Sequence, residues 1–173
     1  MIFAVLAAVL PPSVFQLLAY TLILLSIQVP VGAQGQGDAE IAYRLDLVTA
    51  CAEVTDNRTE RYICAKIARF ESAYREDVGR CHVKGKEGEV TAWQIIPRNA
   101  AEKARLCVTL VEDARVMIER VRESRAACHH LPKAEQLALY TRGDCSSVDG
   151  RKLSVNRFPT DAEVRRIETT YGQ

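Results

Sequence analysis

The sequence predicts an α+β domain that is mostly helical and has one small β element. Apolar residues recur at helical spacing through most of the chain, as Ile41, Leu45 and Val48 do in the first such segment. One segment differs, because glycines are frequent from 79 to 88 and residues 90–96 are β-prone, which indicates a short hairpin. The six cysteines all lie beyond the apolar N-terminus and predict covalent cross-links within this domain.

The apolar N-terminus predicts an export signal. No Lys, Arg, Asp or Glu precedes Asp38, and the apolar stretch closes on Val-Gly-Ala at residues 31–33. Signal peptidases cut after small-residue patterns of this kind, so a signal peptide over residues 1–33 is expected. An uncleaved anchor, tethering the chain to a membrane through residues 1–31, is the competing interpretation, since a spanning helix needs ~20 apolar residues. Both interpretations predict an exported chain.

The rest of the chain predicts a linker and a single domain. Residues 34–37, Gln-Gly-Gln-Gly, have the composition of a flexible linker, which leaves 38–173 as one domain of ordinary size. The formal net charge of +1 provides no broad basic surface, so no nucleic-acid partner is expected. The run at residues 128–130, Cys-His-His, has no second cluster at ligand spacing, so no metal site is predicted.

The first half of the domain is expected to hold three helices around the β-prone segment. Periodicity predicts the first helix over 38–54, and either Asp56 or Asn57 can cap a second helix over about 59–72. Pro97 can open a third helix, which the alanines and Val108 continue.

The second half is expected to be helical as well. One helix is predicted over about 111–128, with a solvated face of alternating acidic and basic residues. Another is expected to start at Pro132 and stop at Gly143. A loop between Gly150 and Pro159 should follow, and then a last helix ending near residue 171, which a capping box of Thr160 and Glu163 would open.

Six cysteines in an exported chain predict up to three disulfides, although their number alone leaves the pairing open. A helical hairpin would bring the last two together, since one ends a predicted helix and the other follows the stop of the next. We expect pairs of sequence neighbours: Cys51 with Cys64, Cys81 with Cys107, and Cys128 with Cys145.

One carboxylate has a position suited to acid–base chemistry. Glu71 lies at the end of the second predicted helix, on the edge of its apolar face beside Ile67. Partial desolvation favours the protonated form of a carboxyl, which a general acid requires. Gln94 offers an amide, and Trp93 and Tyr140 offer flat rings, all of which suit sugars. The simpler interpretations are a solvated helix-end glutamate and a tryptophan in the core.

Three segments resemble motifs of the soluble lytic transglycosylases, a family of the lysozyme-like superfamily. Glu71-Ser72 is similar to the family's E-S dipeptide, and Tyr74 to the aromatic residue that often follows it. Residues 88–100, through Gly88, Gln94-Ile95-Ile96-Pro97 and Ala100, resemble G-x-x-G-L-M-Q-I-M-P-x-T-A. Residues 139–143, Leu-Tyr-Thr-Arg-Gly, are similar to A-Y-N-x-G. Two positions depart from the family: Thr91 replaces its second glycine, and Thr141 replaces its asparagine.

The resemblance implies a lysozyme-like fold with a small β-hairpin lobe beside the catalytic helix. It implies that Glu71 is the only catalytic acid/base and that peptidoglycan glycan strands are the substrate, in the periplasm or cell envelope. The glutamate would protonate the oxygen between N-acetylmuramic acid and N-acetylglucosamine, then accept a proton as a 1,6-anhydro ring closes. The residues expected to bind substrate are Ser72, Trp93, Gln94 and Tyr140. No metal or organic cofactor is implied.

Two other functions remain open from the sequence. A hydrolase of the same fold needs a second carboxylate about 6.5–9.5 Å from the first to activate water, and Glu87 and Glu89 are the candidates. A disulfide-stapled helical module that binds glycan or protein without turnover is the other alternative, and in it Glu71 would be dispensable.

Overall fold

The structure is a computed structural model that describes residues 38–158 together with residues 160 and 162. The expected signal peptide or anchor, the linker and the last helix with its capping box lie outside the described residues. The chain divides into two compact units, Met1–Thr49 and Ala50–Gln173, and the boundary falls within the first described helix. None of the helices in the described residues is long and apolar enough to cross a membrane.

Helices make up most of the described chain, which confirms the predicted mostly α class. The seven α-helices described are α1 Asp38–Val54, α2 Arg58–Ser72, α3 Glu76–Gly79, α4 Ala100–Arg105, α5 Leu110–Ala127, α6 Ala138–Arg142 and α7 Val148–Arg157. A 3₁₀ turn, Lys133–Glu135, precedes α6.

Side-chain caps define where several helices begin. The Asn57 side chain accepts a hydrogen bond from the Glu60 amide at 3.1 Å, so Asn57, one of the two predicted candidates, opens α2. Asn99 caps α4 in the same way, and α4 therefore begins three residues after the expected Pro97. The Ser147 hydroxyl accepts from the Gly150 amide at 3.0 Å and opens α7.

The expected loop between Gly150 and Pro159 is wrong over most of its length, because residues 148–157 form α7. A Cβ on Gly150 would lie 3.1 Å from the Ala138 carbonyl oxygen, so the glycine allows α7 to approach α6 closely. The predicted helix from Pro132 to Gly143 is also interrupted, since the 3₁₀ turn and α6 replace it. Gly143 does end α6, with a left-handed φ of 71°.

The predicted β-hairpin lobe is not formed by the β-prone segment. Among the described residues the β structure is an isolated antiparallel bridge between Val90 and Ile95. Thr91 and Gln94, which lie between the bridged residues, have φ values of 70° and 49°. These left-handed conformations curl the backbone into a tight turn and prevent the extended geometry that a ladder needs. A rigid turn therefore stands where strands were expected.

The core of the second unit lies between α2, α5 and α7, with the turn at residues 90–95 packed into it. In this unit α2 contacts α5 and α7, and α5 also contacts α4 and α6. Its largest enclosed side chains are Ile63, Ile67, Trp93, Ile95, Met117, Ile118, Val121 and Leu137.

The three disulfides have the expected pairing, Cys51–Cys64, Cys81–Cys107 and Cys128–Cys145. Each bond connects cysteines that are neighbours in sequence, with separations of 13, 26 and 17 residues. No cysteine of the described chain is free. Three such bonds in a domain of this size are typical of proteins in an oxidising compartment.

A buried ion pair joins α2 to α5. The Glu60 side chain is 8% exposed and accepts hydrogen bonds from Arg122 Nη2 at 2.8 Å and from the Thr55 hydroxyl at 2.7 Å. Burial acts to raise the pKa of Glu60, but the bonds from Arg122 and Thr55 outweigh it, and the pKa lies below its ordinary value. The predicted solvated face of α5 therefore includes one residue, Arg122, that contributes to packing.

Candidate active site

Glu71 lies on the last turn of α2, one residue before the helix ends at Ser72. Ala73 and Tyr74 both have left-handed φ values, 51° and 59°, and the Ala73 amide donates to the Arg69 carbonyl at 2.9 Å. The Tyr74 hydroxyl donates back to the Ala65 carbonyl at 3.1 Å and fixes the reversed chain against the helix. This double reversal leaves Glu71 on the last turn with its side chain 24% exposed.

The Glu71 carboxylate is paired with an arginine that is 86 residues away in the chain. Arg157 Nε donates to Glu71 Oε1 at 2.7 Å, and Arg157 Nη2 donates to the same oxygen. Arg157 Nη1 donates to the Leu153 carbonyl at 3.1 Å, and the guanidinium lies 5.8 Å from the centre of the Phe70 ring. The arginine side chain is 12% exposed, so the pair is shielded from most of the solvent.

Sequence reasoning missed Arg157. Its segment was expected to be a loop, because Gly150 and Pro159 suggested interruption and its residues have a weak apolar periodicity. Ser147, a favourable N-cap residue, was the available signal for a helix in this segment. No proline follows it before residue 159 to prevent that helix. Even a correct helix would not have revealed its partner, since the contact is made across the fold.

Tyr140 completes a cluster around Glu71. Its hydroxyl donates to the Trp93 carbonyl at 3.2 Å, and its amide donates to the Ser124 hydroxyl at 3.0 Å. Burial of the hydroxyl, and secondarily the negative charge of Glu71, raise the pKa of Tyr140 well above its ordinary value. The hydroxyl is therefore a neutral donor within electrostatic reach of the carboxylate. A hydrogen bond joins Tyr140 to the main chain of Trp93, and the charge of Glu71 acts on the same hydroxyl.

Two of the expected substrate-binding side chains do not have that role in the structure. The Trp93 ring has no exposed surface, and its indole Nε1 donates to the Cys64 carbonyl at 2.9 Å. It is a core residue that joins the turn to α2, so a sugar cannot stack on it. Ser72 is also buried, and its hydroxyl donates to the Ala68 carbonyl of the preceding helical turn at 2.8 Å. Both predictions are corrected to structural roles.

Gln94 lies in the turn next to Trp93 and is partly exposed. Its amide Nε2 donates to the Thr91 carbonyl at 3.0 Å, so the amide stabilises the turn in this state. Thr91 is buried at a φ of 70°, which is unusual for a β-branched residue and natural for glycine. The position at which the resemblance expects a glycine thus has the backbone conformation of one.

The two candidate second carboxylates belong to the loop that precedes this turn. Glu89 Oε2 accepts a hydrogen bond from the Glu87 amide at 2.8 Å, whereas the Glu87 side chain is exposed. A Cβ on Gly85 would lie 2.2 Å from Glu89 Oε2, so the glycine makes room for that carboxylate. Glu89 therefore organises its own loop, and Glu87 extends into solvent.

The chemistry available at the site is that of a single carboxylate beside a cation, with the buried Tyr140 hydroxyl bound to the Trp93 carbonyl. Among the residues that the structure describes, no three side chains of His, Cys, Asp or Glu gather in the manner of a metal site. A carboxylate held in this way can exchange a proton with a bound group, and the exposed ring of Phe70 beside it offers an apolar surface.

Comparison of the chain with protein-family models, curated proteins and solved structures finds no match. A function must therefore be inferred from the residues of the site.

Proposed function

We propose that the chain is a peptidoglycan lytic transglycosylase of the periplasm or cell envelope, with a lysozyme-like fold and Glu71 as its acid/base. The observation that carries the proposal is the cluster itself. Glu71 stands at the end of a helix, partly exposed, with the Tyr140 hydroxyl held nearby through the Trp93 carbonyl. Those residues come from the three motifs that resemble the family, although they are far apart in sequence.

The backbone at residues 90–95 gives further support. The family motif has a glycine where this chain has Thr91, and the φ of 70° at Thr91 explains why a glycine would suit that place. The turn also positions the Trp93 carbonyl that accepts from Tyr140. The second and third motifs are thus joined by a hydrogen bond beside the first.

In the proposed reaction Glu71 acts twice. It first donates a proton to the oxygen that links N-acetylmuramic acid to N-acetylglucosamine, and the bond from that oxygen to the muramoyl C1 breaks as the oxygen leaves with the electron pair. The carboxylate then removes the proton of the muramoyl 6-hydroxyl, whose oxygen bonds to C1 and closes the 1,6-anhydro ring. Tyr140 would hold the turn that carries Trp93 and Gln94 in place through its hydroxyl.

The test compares Glu71→Gln with a matched Glu76→Gln variant, which changes an exposed glutamate four residues beyond the end of α2. Glu71→Gln should remain folded and lose at least about 10²–10⁴-fold in the rate of muropeptide release, since it removes the general acid. Glu76→Gln should cleave as the unmodified protein does. Release at an undiminished rate by Glu71→Gln would refute the proposal.

Mass analysis of the released fragments identifies the reaction. A transglycosylase gives anhydro ends, which are one water lighter than the reducing ends that a hydrolase gives. Reducing ends alone would replace the proposal with a muramidase, and Glu87→Gln and Glu89→Gln would then be the variants to compare.

The pairing of Glu71 with Arg157 favours a second candidate, a binding module without turnover. An ion pair between α2 and α7 can have a purely structural purpose. In that case the unmodified protein would bind glycan strands in a pull-down assay but release no fragments, and Glu71→Gln would bind equally well.

A further inference from the structure

The two oxygens of Glu71 have different surroundings. Oε1 accepts hydrogen bonds from both Nε and Nη2 of Arg157, whereas Oε2 accepts no hydrogen bond from any residue that the structure describes. An arginine commonly binds a carboxylate with its two nitrogens on the two different oxygens. The arrangement found here is instead one-sided, and within the described part of the chain it leaves one oxygen of this partly exposed carboxylate without a donor.

The arginine is held independently of Glu71. Arg157 Nη1 donates to the Leu153 carbonyl of its own helix at 3.1 Å, and the guanidinium packs near the Phe70 ring. Because these contacts fix the plane of the guanidinium, its Nε and Nη2 are both directed at Glu71 Oε1. The arginine is therefore held in place by contacts other than the one with Glu71.

We infer that Arg157 is a positioning residue that gives the two oxygens of Glu71 separate tasks, with Oε1 anchored and Oε2 carrying the exchanged proton. The inference rests on the proposed function and deepens it. In a neutral carboxyl the oxygen that accepts two hydrogen bonds from a cation is the carbonyl oxygen, so the proton resides on the other. The pairing thus fixes which oxygen of Glu71 faces the arginine.

The proton and electron balance follows from this arrangement. In the first step the proton moves from Oε2 to the glycosidic oxygen, the electron pair of the O–H bond stays on the carboxylate, and Arg157 stabilises the negative charge formed there. In the second step Oε2 takes the proton of the 6-hydroxyl, which restores the neutral acid. Arg157 contributes no proton to either step.

The experiment measures kcat and KM on soluble, uncross-linked glycan strands with the full-length chain. Arg157→Ala should lower kcat about 10- to 100-fold, which is the effect of losing charge-assisted hydrogen bonds, with KM within about threefold. Added guanidinium ions should restore part of kcat in Arg157→Ala and none in Glu71→Gln. Arg157→Lys, which keeps the charge but loses the planar fork, should lie between Arg157→Ala and the unmodified protein.

Arg151→Gln is the matched control, because Arg151 is on the same helix and its pairing with Glu135 is a longer 3.6 Å contact. It should leave kcat unchanged. If Glu71→Gln is inactive while folded Arg157→Ala keeps kcat within about threefold, the inference fails and the proposed function stands. An unaffected Glu71→Gln overturns both.

A measurement on the unmodified protein decides the matter if Arg157→Ala does not fold. The Nε–H resonance of Arg157 in a ¹⁵N-labelled sample should persist when tri-N-acetylchitotriose is bound, because the pair with Oε1 is retained. Loss of that resonance on binding would mean that the arginine must release Glu71, and it would overturn the inference.

Discussion

The buried carboxylate of Asp113 is expected to destabilise the protein at neutral pH. Replacing it with a neutral side chain should therefore make the protein more stable there. Asp113 lies in the first turn of α5, is 2% exposed, and accepts a hydrogen bond from the Cys107 amide at 2.7 Å through Oδ1. Burial raises the pKa of Asp113 to about 6, against the opposing effect of the Cys107 amide and with a smaller contribution from Glu112. The folded state therefore favours the neutral acid.

The magnitude follows from the difference between the two pKa values. A rise from 3.8 to about 6 is roughly two units, and at ~1.36 kcal/mol per unit it corresponds to about 3 kcal/mol. Because the folded pKa of this acid is the higher one, the penalty is absent below the unfolded value, grows between the two, and is complete above about pH 6. Asp113→Asn removes the charge and keeps an oxygen that can accept from Cys107.

The assay is thermal unfolding of Asp113→Asn and the unmodified protein, with the disulfides intact, at several values between about pH 4 and pH 7.5. The stability of the variant relative to the unmodified protein should increase by about 3 kcal/mol across that range, or roughly 10 °C in Tm. Burying the new amide NH₂ has a cost, but that cost does not depend on pH and cancels in the comparison.

The comparison of two pH values also removes the effect of the other carboxylates, which are common to both proteins. Asp149→Asn, in the first turn of α7 and exposed, reports the effect of taking one negative charge from a helix start. A stability difference for Asp113→Asn that is the same at about pH 4 and pH 7.5 would show that the buried carboxylate carries no such penalty.

Three further outcomes are expected. Tyr140→Phe should unfold about 1 kcal/mol more easily and cleave glycan strands more slowly, which parallel denaturation and release assays measure; unchanged release would remove the hydroxyl from the site. Arg122→Gln should cost more stability than Glu60→Gln in denaturant titrations, because it leaves the buried carboxylate with only the more distant Arg125, at 4.0 Å, while Arg122 alone can be hydrated; equal costs would contradict this. Replacing Cys128 and Cys145 together by serine should lower the free energy of unfolding by about 2–4 kcal/mol, and an unchanged midpoint would show that the bond is not needed.

The sequence was a sufficient guide wherever a local rule decides the structure. Asn57 as a cap, Gly143 as a stop and the pairing of neighbouring cysteines were all predicted and are confirmed. Each depends on hydrogen bonds or chain reversals within a few residues, or on the short connection between two helices. The position of Glu71 at the end of α2 belongs to the same group.

The sequence was a poor guide where a competing local interaction or a distant contact decides the backbone conformation. The β-prone residues between Val90 and Ile95 curl into a turn, since Thr91 and Gln94 adopt left-handed backbone conformations that propensity does not reveal. The helix around Gly150 forms despite the glycine, because that residue is needed for close packing on α6. In both places tertiary packing overrides the intrinsic preference.

By itself, then, the sequence determined a mostly helical, disulfide-stapled domain and the placement of one glutamate at a helix end. Only the tertiary structure decided that Trp93 belongs to the core, that Tyr140 binds the Trp93 carbonyl, and that Arg157 pairs with Glu71. The physical reason is that burial and ion pairing depend on which surfaces meet in space. A contact across 86 residues of chain leaves no periodic trace in the sequence around either partner.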